Sequence, residues 1–227
     1  MYTKNEAAFD QLTDDAAYWL GFLVADGSVT APTPKAGGTV RLSLSQRQPV
    51  EDFRAFIQTD APITATARTT NFGTFQIFGI AVCCSALVNR LIELGVTPNK
   101  THTVVANPSV LNNRHFWRGV VDGDGSVGMN KRGQLVIYLG CASETLIRQF
   151  ETFVKTHVET RATISQHSKN KHWRFQLTGK NAEKLAQELY RDARYKLKFN
   201  RLDEIEGTLH AKEKSTLRLD LSKATLQ

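Results

Sequence analysis

A twelve-residue stretch occurs twice, and the two copies restrict the possible folds more than any other feature. Tyr18-Trp19-Leu20-Gly21-Phe22-Leu23-Val24-Ala25-Asp26-Gly27-Ser28-Val29 returns as Phe116-Trp117-Arg118-Gly119-Val120-Val121-Asp122-Gly123-Asp124-Gly125-Ser126-Val127. Asp26 and Asp124 hold the same place in the frame, 98 positions apart. Gly21 and Ala25, like Gly119 and Gly123, are four residues apart, so each copy, read as a helix, carries a strip almost free of side chains. Two such strips let helices approach more closely than Leu or Phe would allow. An interior glycine costs a helix about 1 kcal/mol against alanine, and a close helix pair offsets that penalty. The expectation is a pseudo-twofold protein whose paired helices end in two neighbouring carboxylates.

The repetition continues. Val40-Arg41-Leu42-Ser43-Leu44-Ser45 alternates with the period of a half-buried strand, and Leu135–Gly140 is its counterpart. Amphipathic helices follow near Val50–Ile57 and Leu146–Val154, with Phe53 and Phe56 matched by Phe150 and Phe153. Hairpins ending in Thr74–Gly79 and Arg174–Gly179 come next, and each half closes with a helix, about Ala81–Leu94 and Asn181–Tyr190. The predicted class is α+β: two pseudo-twofold αββαββα repeats with antiparallel sheets. Residues 1–96 form the first repeat, 97–113 a linker containing Pro98 and Pro108, and 114–227 the second repeat with a helical tail. If Leu42, Leu44, Phe75 and Ile77 point inward, then Arg41, Ser43, Ser45, Thr74 and Gln76 point outward. In the second half Leu135, Ile137, Trp173, Phe175 and Leu177 read as core, leaving Gln134, Tyr138, His172, Arg174 and Gln176 outside.

Two carboxylates facing each other at helix C-termini repel and oppose the helix dipole. Divalent cations relieve both penalties, hard oxygen donors suit Mg²⁺, and such ions activate water for phosphodiester hydrolysis. A calcium loop starting at Asp122 is excluded, since its sixth residue is Val127 rather than Gly and its twelfth is Gly133 rather than Glu. With 29 Lys plus Arg against 22 Asp plus Glu, the net charge of +7 is compatible with a polyanionic partner. The three cysteines form no C-x-x-C pair, which argues for a reducing compartment and against a zinc site. No signal-peptide core opens the chain, no run suits a membrane, and the six histidines show no metal-ligand spacing.

Both stretches resemble the LAGLIDADG motif of homing endonucleases in the monomeric, two-motif form, and the resemblance covers about Thr13 to Glu206. Gly21, Ala25, Asp26 and Gly27 fill the first motif's Gly, small, Asp and Gly positions; Gly119, Gly123, Asp124 and Gly125 fill the second's. Trp19-Leu20 and Trp117-Arg118 depart from the opening Leu-Ala, and Val24 stands where the first motif often has Asp. The resemblance implies a saddle of two sheets over duplex DNA, reading a long, imperfectly palindromic site. It also implies Mg²⁺-dependent hydrolysis leaving short 3′ overhangs, with Mn²⁺ substituting and Ca²⁺ binding without cleavage. Asp26 and Asp124, with Ala25 and Gly123, would hold metal, and Lys100 and Lys198 would assist catalysis, although solvated lysines fit those positions equally well. Arg68 joins the outward residues as a DNA contact, while Lys131, Arg132, Lys169 and Lys171 near hairpin tips would meet phosphates. An ordinary polar sheet surface is the alternative for each base-reading position. A non-catalytic intron-splicing maturase, with host intron RNA as partner, or a DNA-binding regulator is the competing function. A third reading is an unrelated enzyme using both acids for small-molecule chemistry. A monomer is expected, in the cytoplasm with the nucleoid or in an organelle's matrix or stroma, away from membranes.

Overall fold

Thr13 starts the first motif helix, α1 (Asp14–Ala25), its hydroxyl accepting from the Ala16 amide at 3.2 Å. Asp14 and Asp15 in the first turn suit the positive end of the helix dipole. Asn113 caps α4 (Arg114–Asp124) in the same way, accepting from the amides of His115 at 2.9 Å and Phe116 at 3.3 Å. The computed structural model that shows this describes residues 2–71, 73–160, 162–167 and 172–195. Each motif helix runs directly into a strand, β1 (Gly27–Thr30) or β5 (Gly125–Met129). The reversal is tight: a Cβ on Gly27 would lie 2.7 Å from Leu23 Cα, and one on Gly125 would lie 2.7 Å from the Val121 carbonyl oxygen. Only glycine fits both corners.

The first repeat continues through β2 (Thr39–Leu44), α2 (Gln48–Phe56), β3 (Thr64–Thr70), β4 (Gly73–Cys83) and α3 (Ser85–Glu93). The second continues through β6 (Leu135–Cys141), α5 (Glu144–Val158), β7 (Thr163–His167), β8 (His172–Thr178) and α6 (Lys180–Tyr190). Each half thus has the predicted αββαββα order. The antiparallel sheets are ordered β1-β2-β4-β3 and β5-β6-β8-β7. All of these elements lie in one compact unit that ends at Ala193. The intervening segment contains two 3₁₀ turns, Lys100–His102 and Pro108–Val110.

The aromatic frame repeats closely. Trp19 lies 5.2 Å from Phe53 and 6.3 Å from Phe56, while Trp117 lies 5.2 Å from Phe150 and 6.1 Å from Phe153. These rings pack one face of each sheet under its helices, and the other face stays open.

Strand register corrects one expectation. Leu42 pairs with Ile80 and Ser43 with Gly79, so Val82, Ile80 and Phe78 share the helix-covered face with Leu42. Phe75 and Ile77 then fall on the open face beside Arg41 and Ser43, and Thr74 and Gln76 fall on the helix side. A Cβ on Gly79 would lie 3.1 Å from Ser43 Oγ and 3.3 Å from Thr64 Oγ1, which places those three together. The faces of the second sheet match expectation: Leu139 pairs with Phe175 and Tyr138 with Gln176, so Ile137, Leu139, Phe175 and Leu177 face the core, whereas Trp173, expected there too, is only half-buried near the start of β8. Pairing Leu42 with Ile80 and Leu139 with Phe175 relates β4 to β8 by 95 residues, whereas matching Gly79 to Gly179 implies 100. The discrepancy is odd, and an odd slip in a strand exchanges its two faces. It also explains why α3 begins at Ser85, with Cys84 at the N-cap that Gly179 occupies in α6, so that Ala81–Cys83 are strand.

Candidate active site and nucleic-acid interface

The side-chain-free strips meet. A Cβ on Gly21 would collide with the Phe116 carbonyl oxygen and lie 3.1 Å from the Val120 nitrogen. One on Gly119 would collide with the Tyr18 carbonyl oxygen and lie 2.7 Å from the Phe22 nitrogen. The contacts are images of each other, as a twofold between α1 and α4 requires. One turn further on, Ala25's methyl occupies the space that a Cβ on Gly123 would need. The same Gly123 position lies 3.4 Å from Asp26 Oδ2, so that carboxylate rests against the residue preceding Asp124. Asp26 and Asp124 are both exposed at this end of the helix pair.

Lys100 reaches the same place from the linker. Asn99, left-handed at φ 56°, turns the chain into the 3₁₀ segment that carries it. Its ammonium donates to the Gly27 carbonyl at 2.7 Å and to the Ala25 carbonyl at 3.4 Å. Burial pushes the ammonium below the ordinary lysine range, while the carboxylates of Asp124 and then Asp26 pull it back up. Both acids therefore act on one half-buried cation. A cavity of about 440 Å³ opens beside it, lined by Ala25 and Lys100 together with Asp124, Tyr138, Cys141 and His172 of the second repeat. Burial, followed by the nearby Asp124, raises the Cys141 thiol above its usual range. Cys141 and the exposed His102, which also lines this cavity, escaped the sequence reading. No local spacing links residues that meet only through tertiary packing.

The open sheet faces hold most of the proposed base-reading side chains. Arg41, Ser43, Ser45 and Arg68 are exposed in the first repeat; Gln134, Arg174 and Gln176 are exposed in the second, and Tyr138 and His172 are half-buried. Tyr138 leans over Gly140, where an added Cβ would lie 2.6 Å from the phenol oxygen. Lys131 and Arg132 project from the β5–β6 turn. Lys169, Lys171, Lys198 and the expected helical tail lie outside the described residues. Thr64 and Thr66, opposite Gly79 and Ile77, share the open face. The alternating Thr and Ala of β3 is the signal that would have revealed them.

Arg118, which the motif left without an explanation, is 1% exposed. Its guanidinium lies over the Tyr18 ring at 4.9 Å, and Nη1 is 2.9 Å from His115 Nδ1 and 3.4 Å from the Leu189 carbonyl. Asp122, equally buried, accepts from the hydroxyls of Tyr190 at 2.6 Å and Tyr18 at 3.1 Å. Burial and then Asp122 raise both tyrosines well above the usual phenol range. This buried polar group ties α4 to α1 and to the end of α6.

Residues 112–201, essentially the second repeat, match the model of the LAGLIDADG-like domain family. The structure resembles the homing endonuclease I-WcaI bound to its DNA recognition sequence, with a TM-score of 0.61 at 11% identity, covering 85% of this chain and 91% of that one. The fold is the two-repeat LAGLIDADG fold. Other LAGLIDADG structures are similar as well. The endonuclease I-GzeII in complex with its DNA target gives a TM-score of 0.51 at 12% identity, covering 89% and 92% of the two chains. The N-terminal LAGLIDADG domain of DUF199/WhiA gives 0.51 at 12%, covering 88% and 92%. No curated protein sequence matches significantly.

With the LAGLIDADG helices in place, the donors can be tested against a metal. Among the described residues no group of three or more His, Cys, Asp or Glu could hold an ion. The motif feet instead present two exposed carboxylates and nearby main-chain carbonyls. That all-oxygen set fits Mg²⁺, which commonly takes one or two carboxylates and completes its shell with water or phosphate. Lys100 already contacts one of those carbonyls, that of Ala25. Among the described residues no helix is long and apolar enough to cross a membrane.

Proposed function

We propose that this chain is a metal-dependent, site-specific endonuclease acting on duplex DNA. The observation that supports it best is the convergence of Asp26, Asp124 and Lys100 at the foot of two glycine-packed helices. Asp26 and Asp124 would hold Mg²⁺, with main-chain oxygens of Ala25 and Gly123 as further donors. When bound, the ion activates water and stabilises charge on the phosphorus oxygens. Lys100 supplies a fixed positive charge where that negative charge develops, in a site partly shielded from water. Lys198 is proposed for the equivalent role in the second repeat. The net charge of +7 draws the duplex in, Lys131, Arg132, Lys169 and Lys171 hold phosphates, and the open-face side chains read base edges. One monomer suffices, since the repeats 1–96 and 114–227, joined by 97–113, each bring one acid and one sheet. The product would carry short 3′ overhangs, as expected of intron homing in the nucleoid or an organelle.

The test is incubation with Mg²⁺ and a plasmid library carrying randomised sites, with Mn²⁺ and Ca²⁺ in parallel. One dominant sequence should be cut with Mg²⁺ or Mn²⁺ and bound without cutting in Ca²⁺. Asp26→Asn or Asp124→Asn should reduce cutting roughly a thousandfold, and Lys100→Met about a hundredfold, all three leaving duplex binding intact. Cleavage that survives both acid replacements removes the mechanism.

A non-catalytic DNA-binding regulator or intron-splicing maturase is the second reading. It is favoured by the similarity to the N-terminal LAGLIDADG domain of DUF199/WhiA. Binding without cutting in any divalent ion, together with splicing of a host intron RNA, would establish it.

A further inference from the structure

The internal repeat relates the two sheets, but the side chains on their open faces differ in kind. By register, Ile77, Gly79 and Ala81 of β4 stand where β8 has His172, Arg174 and Gln176. Including Phe75, which is 47% exposed, the open face of β4 offers no side-chain hydrogen-bonding group from Phe75 to Ala81. An arginine stands opposite each end of this apolar strip, Arg68 across from Phe75 and Arg41 across from Ala81. Arg41 also donates to Thr30 Oγ1 at 2.9 Å. Thr66 stands beside Ile77, while Thr64, beside Gly79, donates its hydroxyl to the Gly79 carbonyl at 3.1 Å. The equivalent face of β8 exposes Arg174, whose paired donors suit the guanine edge, and Gln176, whose amide donor and acceptor suit the adenine edge.

An apolar strip ended by two cations fits a duplex groove better than a protein or lipid surface. Arginines suit phosphates and guanine edges alike, and the one apolar group on major-groove base edges is the thymine C5-methyl. We propose that the sheets read their half-sites by different chemistry: the first selects thymines by methyl contact with Phe75 and Ile77, and the second selects purines through Arg174 and Gln176. This rests on the DNA-binding part of the proposed function and extends it to base preference.

The experiment starts from the dominant sequence of the library selection. Each thymine is replaced singly by deoxyuridine, which removes the methyl and preserves pairing, and duplex affinity is measured for the intact protein in Ca²⁺. The half-sites are assigned with the variant Arg174→Gly plus Gln176→Ala, the residues the first sheet has there, which should relax base choice in one half only. Thymines in the opposite half should then lose about fourfold in affinity per methyl, while those in the Arg174 half stay unchanged. Equal losses in both halves, or none opposite the Arg174 half, would overturn the inference while sequence-specific binding leaves the proposed function standing. Failure to bind any duplex at low salt would overturn both.

Discussion

Across the contact between α1 and α4, Gly21 stands against Phe116 and Val120, while Gly119 stands against Tyr18 and Phe22. Beside it, where α1 has Ala17, Leu20 and Val24, α4 has His115, Arg118 and Asp122. The same helix written twice has therefore kept the glycines of its contact and changed the residues around them. Residues on the strip pack against their own images, so a larger side chain has nowhere to go. Beside the strip α4 meets Leu189 and Tyr190 of α6, and a buried charge there finds partners.

The sharpest way to break the symmetric side is Gly21→Val or Gly119→Val. Each drives a branched side chain into the opposite backbone and should cost more than about 4 kcal/mol, a large part of a typical stability of ~5–15 kcal/mol. Urea unfolding followed by circular dichroism measures the loss. A variant as stable as the parent would mean that the helices do not touch at these residues.

The asymmetric side is tested by giving α4 the residues of α1. Asp122→Val alone removes the carboxylate that offsets the buried Arg118 charge and accepts from both tyrosines, and should cost about 3–5 kcal/mol, with Arg118→Leu costing a similar amount by leaving the Asp122 charge uncompensated. The double replacement should cost clearly less than the sum, since it removes both charges together. Strict additivity in a double-mutant cycle would show that the two do not interact.

The smallest effect concerns His115. Burial and then the Arg118 guanidinium hold its imidazole below the usual value of 6.5, with Asp14, 3.3 Å from Nε2, opposing them. As pH falls through about 6.5 the unfolded chain takes up a proton before the folded one does. The stability contributed by the neutral ring is therefore complete above about 6.5 and is lost as pH falls through the lower folded value. His115→Ala, matching Ala17, should flatten that part of the stability profile by a fraction of the parent slope. An unchanged slope between pH 8 and 5 would contradict it.

Much of the architecture was readable in advance. The duplicated frame, the matched pairs Phe53 with Phe56 and Phe150 with Phe153, and the acids ending the motif helices follow from spacing, because helix periodicity and small-residue strips are local properties of the chain. The second sheet's faces were legible too, since Phe175 and Leu177 are buried and Arg174 and Gln176 are not. In β4 the same reasoning failed. Thr74-Phe75-Gln76-Ile77 alternates as a buried strand would, yet this end of the hairpin is exposed on both faces, so its alternation says nothing about which side is covered.

The amino-acid order by itself determined that there are two repeats, which helices carry them and which acids end those helices, since each depends on neighbours within a few turns. Only the tertiary structure decided which face of β4 is open, why Arg118 is tolerated, and that Lys100 and the second repeat's Cys141 lie close enough for each to affect the other's ionisation. Tyr18 and Tyr190 lie 104 and 68 positions from the Asp122 they share. Contacts over such separations leave no periodic trace in a chain, because they are fixed by how whole elements pack and not by the residues beside them.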